Sequence, residues 1–409
     1  MRRTLGDDVV SRVVLVFALT VLGLCFAPNR AQAYAWMIRH GENQCVNCHA
    51  DPSGGELLTR YGRQSGLDLM RMPWRRDDAP RDTKKPSGFL WGLWDTPRWL
   101  LLGGALRLAG FYQNDLRVFP MQADLYGQVK FGRFRAGGSM GVAKVEQNSD
   151  NGRAAFVTRN QGDQLNLVSR THWVALDLGQ HNDWTLRAGR MNLPFGLRVP
   201  EHYLWTRDVT RTDRDSDQQH GVALAYNRGA LRSELMAIAG NYQLRPDRYR
   251  ERGYSGFAEY AFLPALAVGA SSLITSAHAD RTSFEQLKTL RGVHGAFLRA
   301  RVVKPVVVLA EFDVMHSSRR ALGYTGFVQV DYEPLQGLHV MCTAELLDQG
   351  KPDAGPGLPI TAVAGAGQVR PGGWFTLDWF FYSQLDLRVD VIARQDAGAY
   401  VLAQLHTYL

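Results

Sequence analysis

The sequence predicts an all-β fold, a 16-stranded antiparallel transmembrane β-barrel that follows a small N-terminal domain. Three observations support this prediction. Beyond the N-terminal region, no apolar run reaches the roughly 20 residues of a membrane-spanning helix. Segments of about ten residues alternate in polarity, as in barrel strands. The connections between these segments are alternately short and long, as in barrels that cross an outer membrane.

Alternating polarity is clearest near the C-terminus. From Leu385 to Val391 every second residue is apolar, and the residues between them are Asp386, Arg388 and Asp390. Successive side chains of a strand face opposite sides, so one face suits lipid and the other suits an aqueous interior. A water-soluble β-sandwich alternates in the same way. The lengths of the connections therefore decide between the two folds.

Sixteen segments fit the strand pattern. They begin near Trp99, Met121, Phe134, Leu167, Trp184, Gln218, Leu231, Tyr254, Ala265, Arg291, Val306, Leu322, Gly337, Trp374, Leu385 and Ala399. Even-numbered connections are short, such as Gly132-Arg133 and Leu263-Pro264, whereas odd-numbered ones are mostly long, such as Leu193 to Asp217. A sandwich has no reason to sort its loops in this way. The pattern predicts an outer-membrane barrel of residues 98–409 with both termini in the periplasm.

Aromatic residues crowd the ends of the predicted strands, for example Trp99, Trp173, Trp184 and Trp374. These positions suit the aromatic girdles at the two membrane interfaces, although buried core aromatics would give a similar pattern. The lipid of the outer membrane is therefore one expected partner.

The predicted lumen is wide enough for water and rich in positive charge. The chain has a net charge of +8. Basic residues that line a pore favour anions, but ordinary lumen charge balanced by acids such as Asp386 and Asp390 is the preferred interpretation. No basic tract or base-reading motif is present, so we expect no nucleic-acid partner. The inward-facing arginines are predicted to be Arg187, Arg190, Arg232, Arg299, Arg301 and Arg388.

Residues 1–33 have the three parts of a secretory signal peptide. Arg2 and Arg3 supply a charged start, an apolar run extends from Val13 to Phe26, and Ala31-Gln32-Ala33 forms a cleavage site. The apolar run is too short to span a bilayer comfortably. Export of the chain to the bacterial periplasm or outer membrane is therefore expected.

The motif Cys45-Val46-Asn47-Cys48-His49 predicts covalent attachment of one haem c. Two thiols at this spacing can add to the two vinyl groups of one haem, and the following histidine is placed to ligate the iron. A zinc ribbon would need a second Cys/His pair, and none follows. A redox C-x-x-C would need a βαβ pattern, which is absent. Cys45, Cys48 and His49 are therefore the predicted cofactor-binding residues.

Residues 34–97 are predicted to form a small haem-binding plug domain and a linker. This segment is too short for a well-packed core of its own, so the haem is expected to act as its core. The second axial ligand is not fixed by the sequence. Met37, His40 and Met70 are the candidates, with Met72 nearby. Methionine would raise the reduction potential and histidine would lower it.

The haem motif, the run Leu58-Thr59-Arg60-Tyr61-Gly62-Arg63 and the barrel that follows resemble the fused outer-membrane cytochrome–porins. The best-known members of that family oxidise ferrous iron. The resemblance implies that one haem c at the periplasmic side or in the lumen passes electrons between an extracellular donor, such as Fe(II), and a periplasmic cytochrome. The Pro52-Ser53-Gly54-Gly55 insertion departs from the iron oxidases' motif. This difference argues against ferrous iron as the substrate more than it argues against a role in electron transfer.

Three classes of function remain open at this point. The first is an electron conduit with possible Fe(II):cytochrome oxidoreductase activity. The second is an anion- or solute-selective porin with an accessory haem domain. The third is a haem sensor or peroxidase, which would need an open iron site and a distal acid–base residue that the sequence does not display. A further cluster, Asp213, Asp215 and Asp217, is expected to be a solvated loop rather than a cation site.

Overall fold

The computed structural model describes residues 35–41, 44–72, 88–144, 153–162, 164–241, 250–279, 288–318, 320–351, 367–395 and 397–409. The predicted signal peptide and most of the predicted linker lie outside these residues. None of the described helices is both long enough and apolar enough to cross a membrane.

A single closed antiparallel sheet forms a barrel. It contains seventeen strand segments, of which β4 and β5 both pair with β3 and together form one interrupted strand. The predicted sixteen-stranded barrel is therefore confirmed, and the pairing of β1 with β17 closes it. The segments are β1 Leu100–Tyr112, β2 Leu116–Phe131, β3 Phe134–Lys144, β4 Leu165–Val168, β5 His172–Leu178, β6 Trp184–Met191, β7 Gln219–Arg228, β8 Leu231–Gly240, β9 Arg252–Leu263, β10 Leu266–Ala277, β11 Thr289–Val303, β12 Val306–Ser317, β13 Arg320–Leu335, β14 Leu338–Asp348, β15 Arg370–Tyr382, β16 Leu385–Arg394 and β17 Gly398–Tyr408.

The two ends of the barrel differ in their connections. At the short-turn end, β2 and β3 are joined by Gly132-Arg133, and β7 and β8 by Gly229-Ala230. Both of these glycines have positive φ, which a tight turn requires. The opposite, long-loop end carries the inner loop (residues 192–218), which joins β6 to β7. The inner loop contains a short helix, Trp205–Asp208.

Side chains on the outside of the barrel are apolar and exposed. On β8, Leu235 is 59% exposed whereas its neighbour Met236 is fully buried. Such an exterior is expected of a surface that faces hydrocarbon. The girdle prediction is wrong for Trp173 and Trp374, which point inward and pack in the interior. Trp99 and Trp184 are exposed, as a girdle position requires.

The lumen is lined by ion pairs rather than by unbalanced positive charge. Arg232 and Arg299 both bind Glu259, with an Arg232 Nε to Glu259 Oε1 distance of 2.7 Å. Arg388 binds Asp390 at 2.9 Å. The interpretation of balanced lumen charge is therefore confirmed at these positions. Buried arginines need such partners because an unpaired charge in the interior is costly.

The inner loop folds into the lumen instead of into solvent. The amide of Leu197 donates to Glu311 at 2.7 Å, and the amide of Trp205 donates to Glu345 at 3.1 Å. The expectation of a solvated loop at Asp213 to Asp217 is wrong, because both residues are buried. Their carboxylates instead accept hydrogen bonds within the loop.

The described N-terminal residues 35–41 and 44–72 form a plug inside the short-turn end of the barrel. The plug contains a 3-10 helix, Ala35–His40, and two α-helices, Cys45–Cys48 and Arg60–Leu69. Gln44 Nε2 donates to the carbonyl of Gly229 at 2.9 Å, and the Met72 amide donates to the carbonyl of Phe380 at 2.9 Å. The plug is therefore seated against the short turns.

Candidate cofactor site

The C-x-x-C-H motif adopts one tight helical turn that ends at His49. The amide of His49 donates to the carbonyl of Cys45 at 2.9 Å. His49 then pairs with Leu58 in an antiparallel bridge, and the amide of Thr59 donates to the Cys48 carbonyl at 2.8 Å. These bonds hold the two cysteines and the histidine in one fixed unit. Cys45 and Cys48 are both free thiols.

Two glycines allow the backbone to come close to this motif. A Cβ atom on Gly62 would lie 2.3 Å from the Cys48 carbonyl oxygen, so the Arg60–Leu69 helix can pack here only with glycine at that position. Thr59 caps this helix, because its Oγ1 accepts from the Gly62 amide at 3.0 Å. Gly54 has a φ of +96° and lies next to the Cys45 side chain. The sequence Pro52 to Gly62 thus folds around the motif.

A large cavity opens in the lumen beside the motif. It has a volume of about 1970 Å³, including the part open to solvent. Cys45, Cys48 and His49 all line it. The remaining walls come from the inner loop and from barrel strands at both ends of the chain, so the cavity lies between the plug and the barrel.

The predicted distal ligands divide into two groups. Met37 and Met70 line the cavity and are 3% and 8% exposed. His40 and Met72 are not among the described cavity-lining residues. Burial lowers the pKa of His40 to about 4, so its imidazole is neutral. The structure therefore brings only the two methionines together with the haem motif.

Sequence reasoning missed two histidines that the barrel and the inner loop contribute to the cavity. His202 comes from the inner loop and His406 from β17. The His406 Nε2 atom is buried and has no hydrogen-bond partner among the described residues, while its Nδ1 lies 3.8 Å from Asp386. Asp386 thus lies on the side of the ring where a metal-ligating histidine ordinarily bonds a carboxylate, although at 3.8 Å the two groups form no hydrogen bond. No local sequence pattern marks His406, because the barrel's closure is what brings β17 beside the plug.

Buried ion pairs attach the plug to the barrel wall. Arg39 binds Asp331 and Glu333 of β13, the second at 2.7 Å. Asp51 binds Arg187 of β6 at 3.2 Å. An apolar cluster adds to these contacts, since Trp36, Met37, Ile38 and Met70 pack with barrel residues such as Phe257, Phe297, Phe327 and Phe380.

The pKa values of two ionisable groups of the plug are strongly shifted. Burial, followed by the charge of Asp51, raises the pKa of Glu56 to about 7. Its carboxylate accepts from Thr171 at 2.8 Å and Asn192 at 3.0 Å. Burial, with repulsion from Arg60, lowers the pKa of Arg63 to about 10. Arg63 lines the cavity, and no described carboxylate forms an ion pair with it.

Comparison with solved structures shows the fold of outer-membrane porins. An outer-membrane protein of Vibrio cholerae, OmpT with loop L8 deleted, matches with a TM-score of 0.53 at 9% identity, covering 76% of this chain and 99% of that one. The outer-membrane channel DcaP of Acinetobacter baumannii matches with a TM-score of 0.51 at 13% identity, covering 76% and 97%.

An anion-selective porin from Comamonas acidovorans also matches, with a TM-score of 0.50 at 12% identity over 76% of this chain and 99% of that chain. No protein-family model matches the sequence. The curated proteins contain no match to it either. These findings establish a porin-like barrel, and they lend no support to membership of the fused cytochrome–porin family.

Proposed function

We propose that this protein is an outer-membrane electron conduit with one haem c inside the barrel lumen. Cys45 and Cys48 would attach the haem, and His49 would be the proximal iron ligand. When bound, haem c supplies one-electron redox chemistry. A reduced extracellular species, such as Fe(II), would give one electron, and a periplasmic cytochrome would accept it. The opening of the C-x-x-C-H motif onto a large cavity within the lumen is the observation that supports this proposal most directly.

The chemistry of the cavity suits a haem. Both thiols are free and at the cavity wall, and glycines at 54, 55, 62 and 66 leave room beside them. The haem also carries two carboxylates, which need cationic partners in a buried site. Arg63 is a half-buried guanidinium at the cavity, and its fork geometry matches a carboxylate. A propionate beside Arg63 would restore the pKa that burial lowers.

His406 would be the second residue to hold the haem iron. Its buried Nε2 needs a partner, whereas Met37 and Met70 already pack in an apolar cluster. Ligation by His406 would join the plug to the last barrel strand and would lower the reduction potential relative to methionine. Near-infrared magnetic circular dichroism distinguishes the two ligand pairs. His406→Ala should change the ligand signature, whereas Met70→Ala should not; the reverse result would assign Met70.

The plug and the inner loop would hold the haem within the lumen, where it can transfer electrons. A lipid-facing band is about 25 Å tall, so a redox centre held only at one mouth would leave a long gap. A haem within the lumen shortens that gap. The plug's ion pairs with β6 and β13 would keep its position fixed. Filling of the lumen by protein would also limit leakage of solutes.

An anion- or solute-selective porin is the second candidate. The comparisons favour it on fold alone, because the matching structures are porins and channels and one is described as anion-selective. Arginines at the cavity, such as Arg63, Arg198 and Arg214, would attract anions. In this alternative the C-x-x-C-H segment would be an accessory to the pore.

Reconstitution into lipid vesicles separates the two candidates. A mitochondrial-type or periplasmic cytochrome c is enclosed as the electron acceptor, and Fe(II) is added outside under anaerobic conditions. A conduit reduces the enclosed cytochrome while a planar bilayer with the same protein shows little ion conductance. The opposite pair of results, high anion conductance with no reduction by Fe(II) or by a stronger impermeant reductant, would establish the porin and reject the conduit.

A further inference from the structure

Two pairs of histidines lie on the barrel near its long-loop end. In one pair, His294 of β11 and His316 of β12 have their Nε2 atoms 3.3 Å apart. In the other, the Nε2 atoms of His172 and His220 are 3.2 Å apart. These contacts are not needed to hold the strands together, because the backbone pairing of the sheet already does so.

We propose that His294 and His316 form a binding site for a divalent late first-row transition-metal ion, such as Cu²⁺ or Zn²⁺, at the outer rim of the barrel. Zinc–nitrogen bonds of roughly 2.0–2.1 Å in tetrahedral geometry separate two ligating nitrogens by about 3.3–3.4 Å. The observed 3.3 Å matches this separation. Imidazole nitrogen is a preferred ligand for these ions.

The surroundings of His294 fix its ring in the form that a metal needs. Its Nδ1 lies 3.0 Å from Ser272 Oγ, which in turn lies 2.9 Å from the Tyr254 hydroxyl. A proton on Nδ1 donated to Ser272 leaves the Nε2 lone pair directed at the partner ring. Metal-ligating histidines ordinarily bond their other nitrogen in this way.

A glycine makes room for the second ring. His316 lies over Gly292, and a Cβ atom there would be 2.1 Å from the His316 Nε2. Any other residue at this position would displace the imidazole. The local sequence thus holds both rings close together on neighbouring strands.

The pair lies close to the end of its strands and is open to the outside of the barrel. His316 is the penultimate residue of β12 and is exposed. It lies on the outward face with Phe312, which is 48% exposed. No cluster of three or more potential metal-ligating His, Cys, Asp or Glu side chains occurs in the described part of the chain, so water would complete the coordination. The site would therefore exchange its metal readily.

The second histidine pair provides an internal contrast. Arg190 of β6 lies between these histidines, paired in register with both His172 and His220. Its guanidinium charge would repel a divalent cation at close range. We therefore expect metal at the His294–His316 pair and little or none at the His172–His220 pair, even though the nitrogen separations are similar.

Copper titration of the full-length protein, purified without a polyhistidine tag, tests the proposal. Electron paramagnetic resonance should show one Cu²⁺ per chain with nitrogen hyperfine structure. His294→Ala and His316→Ala should each weaken this site at least tenfold, and His172→Ala should leave it unchanged. Metal binding at this pair does not require haem.

Two results would overturn the proposal. One is unchanged copper affinity in both His294→Ala and His316→Ala. The other is loss of the copper site in His172→Ala with retention in His294→Ala. Faster migration of unheated samples on denaturing gels confirms that each variant still forms a barrel. His316→Gln keeps a polar side chain of similar reach and should lose the copper site as well.

Discussion

The barrel wall and the plug are specified in different ways. The wall depends on a repeated pattern, apolar outside and polar inside, and it matches porins at only 9–13% identity. The plug depends on individual residues, such as the Cys45–His49 motif and the Gly62 contact, and the matches leave about a quarter of the chain without a counterpart. The wall should therefore tolerate substitution well, whereas single changes in the plug should impair the site.

Removal of the thiols gives the largest expected effect. Cys45→Ser with Cys48→Ser should abolish covalent haem, because no sulfur remains to add to the vinyl groups, while the barrel still forms. Haem staining on denaturing gels and heat-modifiable migration measure the two outcomes. Cys342→Ser is the matched control, since Cys342 is exposed on β14. Loss of barrel folding together with haem would show that wall and plug are not separable.

Removal of the Arg39 side chain should loosen the plug. Its side chain is 1% exposed, and its loss leaves Asp331 and Glu333 as buried carboxylates without their cation. We expect a loss of about 3–5 kcal/mol in the free energy of unfolding. Urea titration in lipid vesicles and bilayer conductance are the measurements, and conductance should rise.

Arg117→Ala is the control for this prediction. Arg117 pairs with Asp115 at the surface, where both side chains are mostly exposed. Surface pairs contribute about 1 kcal/mol or less. Equal effects of the two substitutions would mean that the Arg39 contacts do not anchor the plug.

Glu56 should make stability depend on pH. The folded protein raises the pKa of this carboxyl from 4.5 to about 7, so the native state binds the proton more tightly than the unfolded state does. Stability from this group is complete below pH 4.5 and falls as pH rises towards about 7, by on the order of 3 kcal/mol. Glu56→Gln should flatten this part of the profile of unfolding free energy against pH. An unchanged slope would remove Glu56 as its source.

Gly62→Ala should have the smallest of these effects. The added methyl would meet the Cys48 carbonyl, and a forced contact of this kind costs about 1–3 kcal/mol. We expect a lower yield of protein with attached haem. Gly110→Ala is the control, because a Cβ there meets nothing within 4 Å. A normal haem yield in Gly62→Ala would mean that the packing of the Arg60–Leu69 helix against Cys48 is not required.

The barrel wall was largely predictable from sequence because apolar and polar residues alternate regularly along its strands. All sixteen strands begin within five residues of their predicted positions, since alternation and turn residues are local signals. The girdle prediction failed at Trp173 and Trp374 because an aromatic near a strand end can point either way, and only the register decides.

The site was only partly predictable. Cys45, Cys48 and His49 form a local motif, so their grouping could be predicted. The contributions of His202, His406 and the inner loop depend on how distant strands close and on which loop folds inward. Asp213 and Asp217 are buried for the same reason, although their polar neighbours suggested solvent. Contacts between residues that are distant in the chain produce no local sequence pattern, so they could not be predicted.

The most direct test is to purify the protein from the outer membranes of a host that matures c-type cytochromes, and to record its mass and visible spectrum. We expect a chain heavier by one covalently bound haem, with a c-type spectrum that changes on reduction. A folded barrel of unmodified mass without haem absorption would rule out a haem conduit and leave a porin whose lumen is closed by protein.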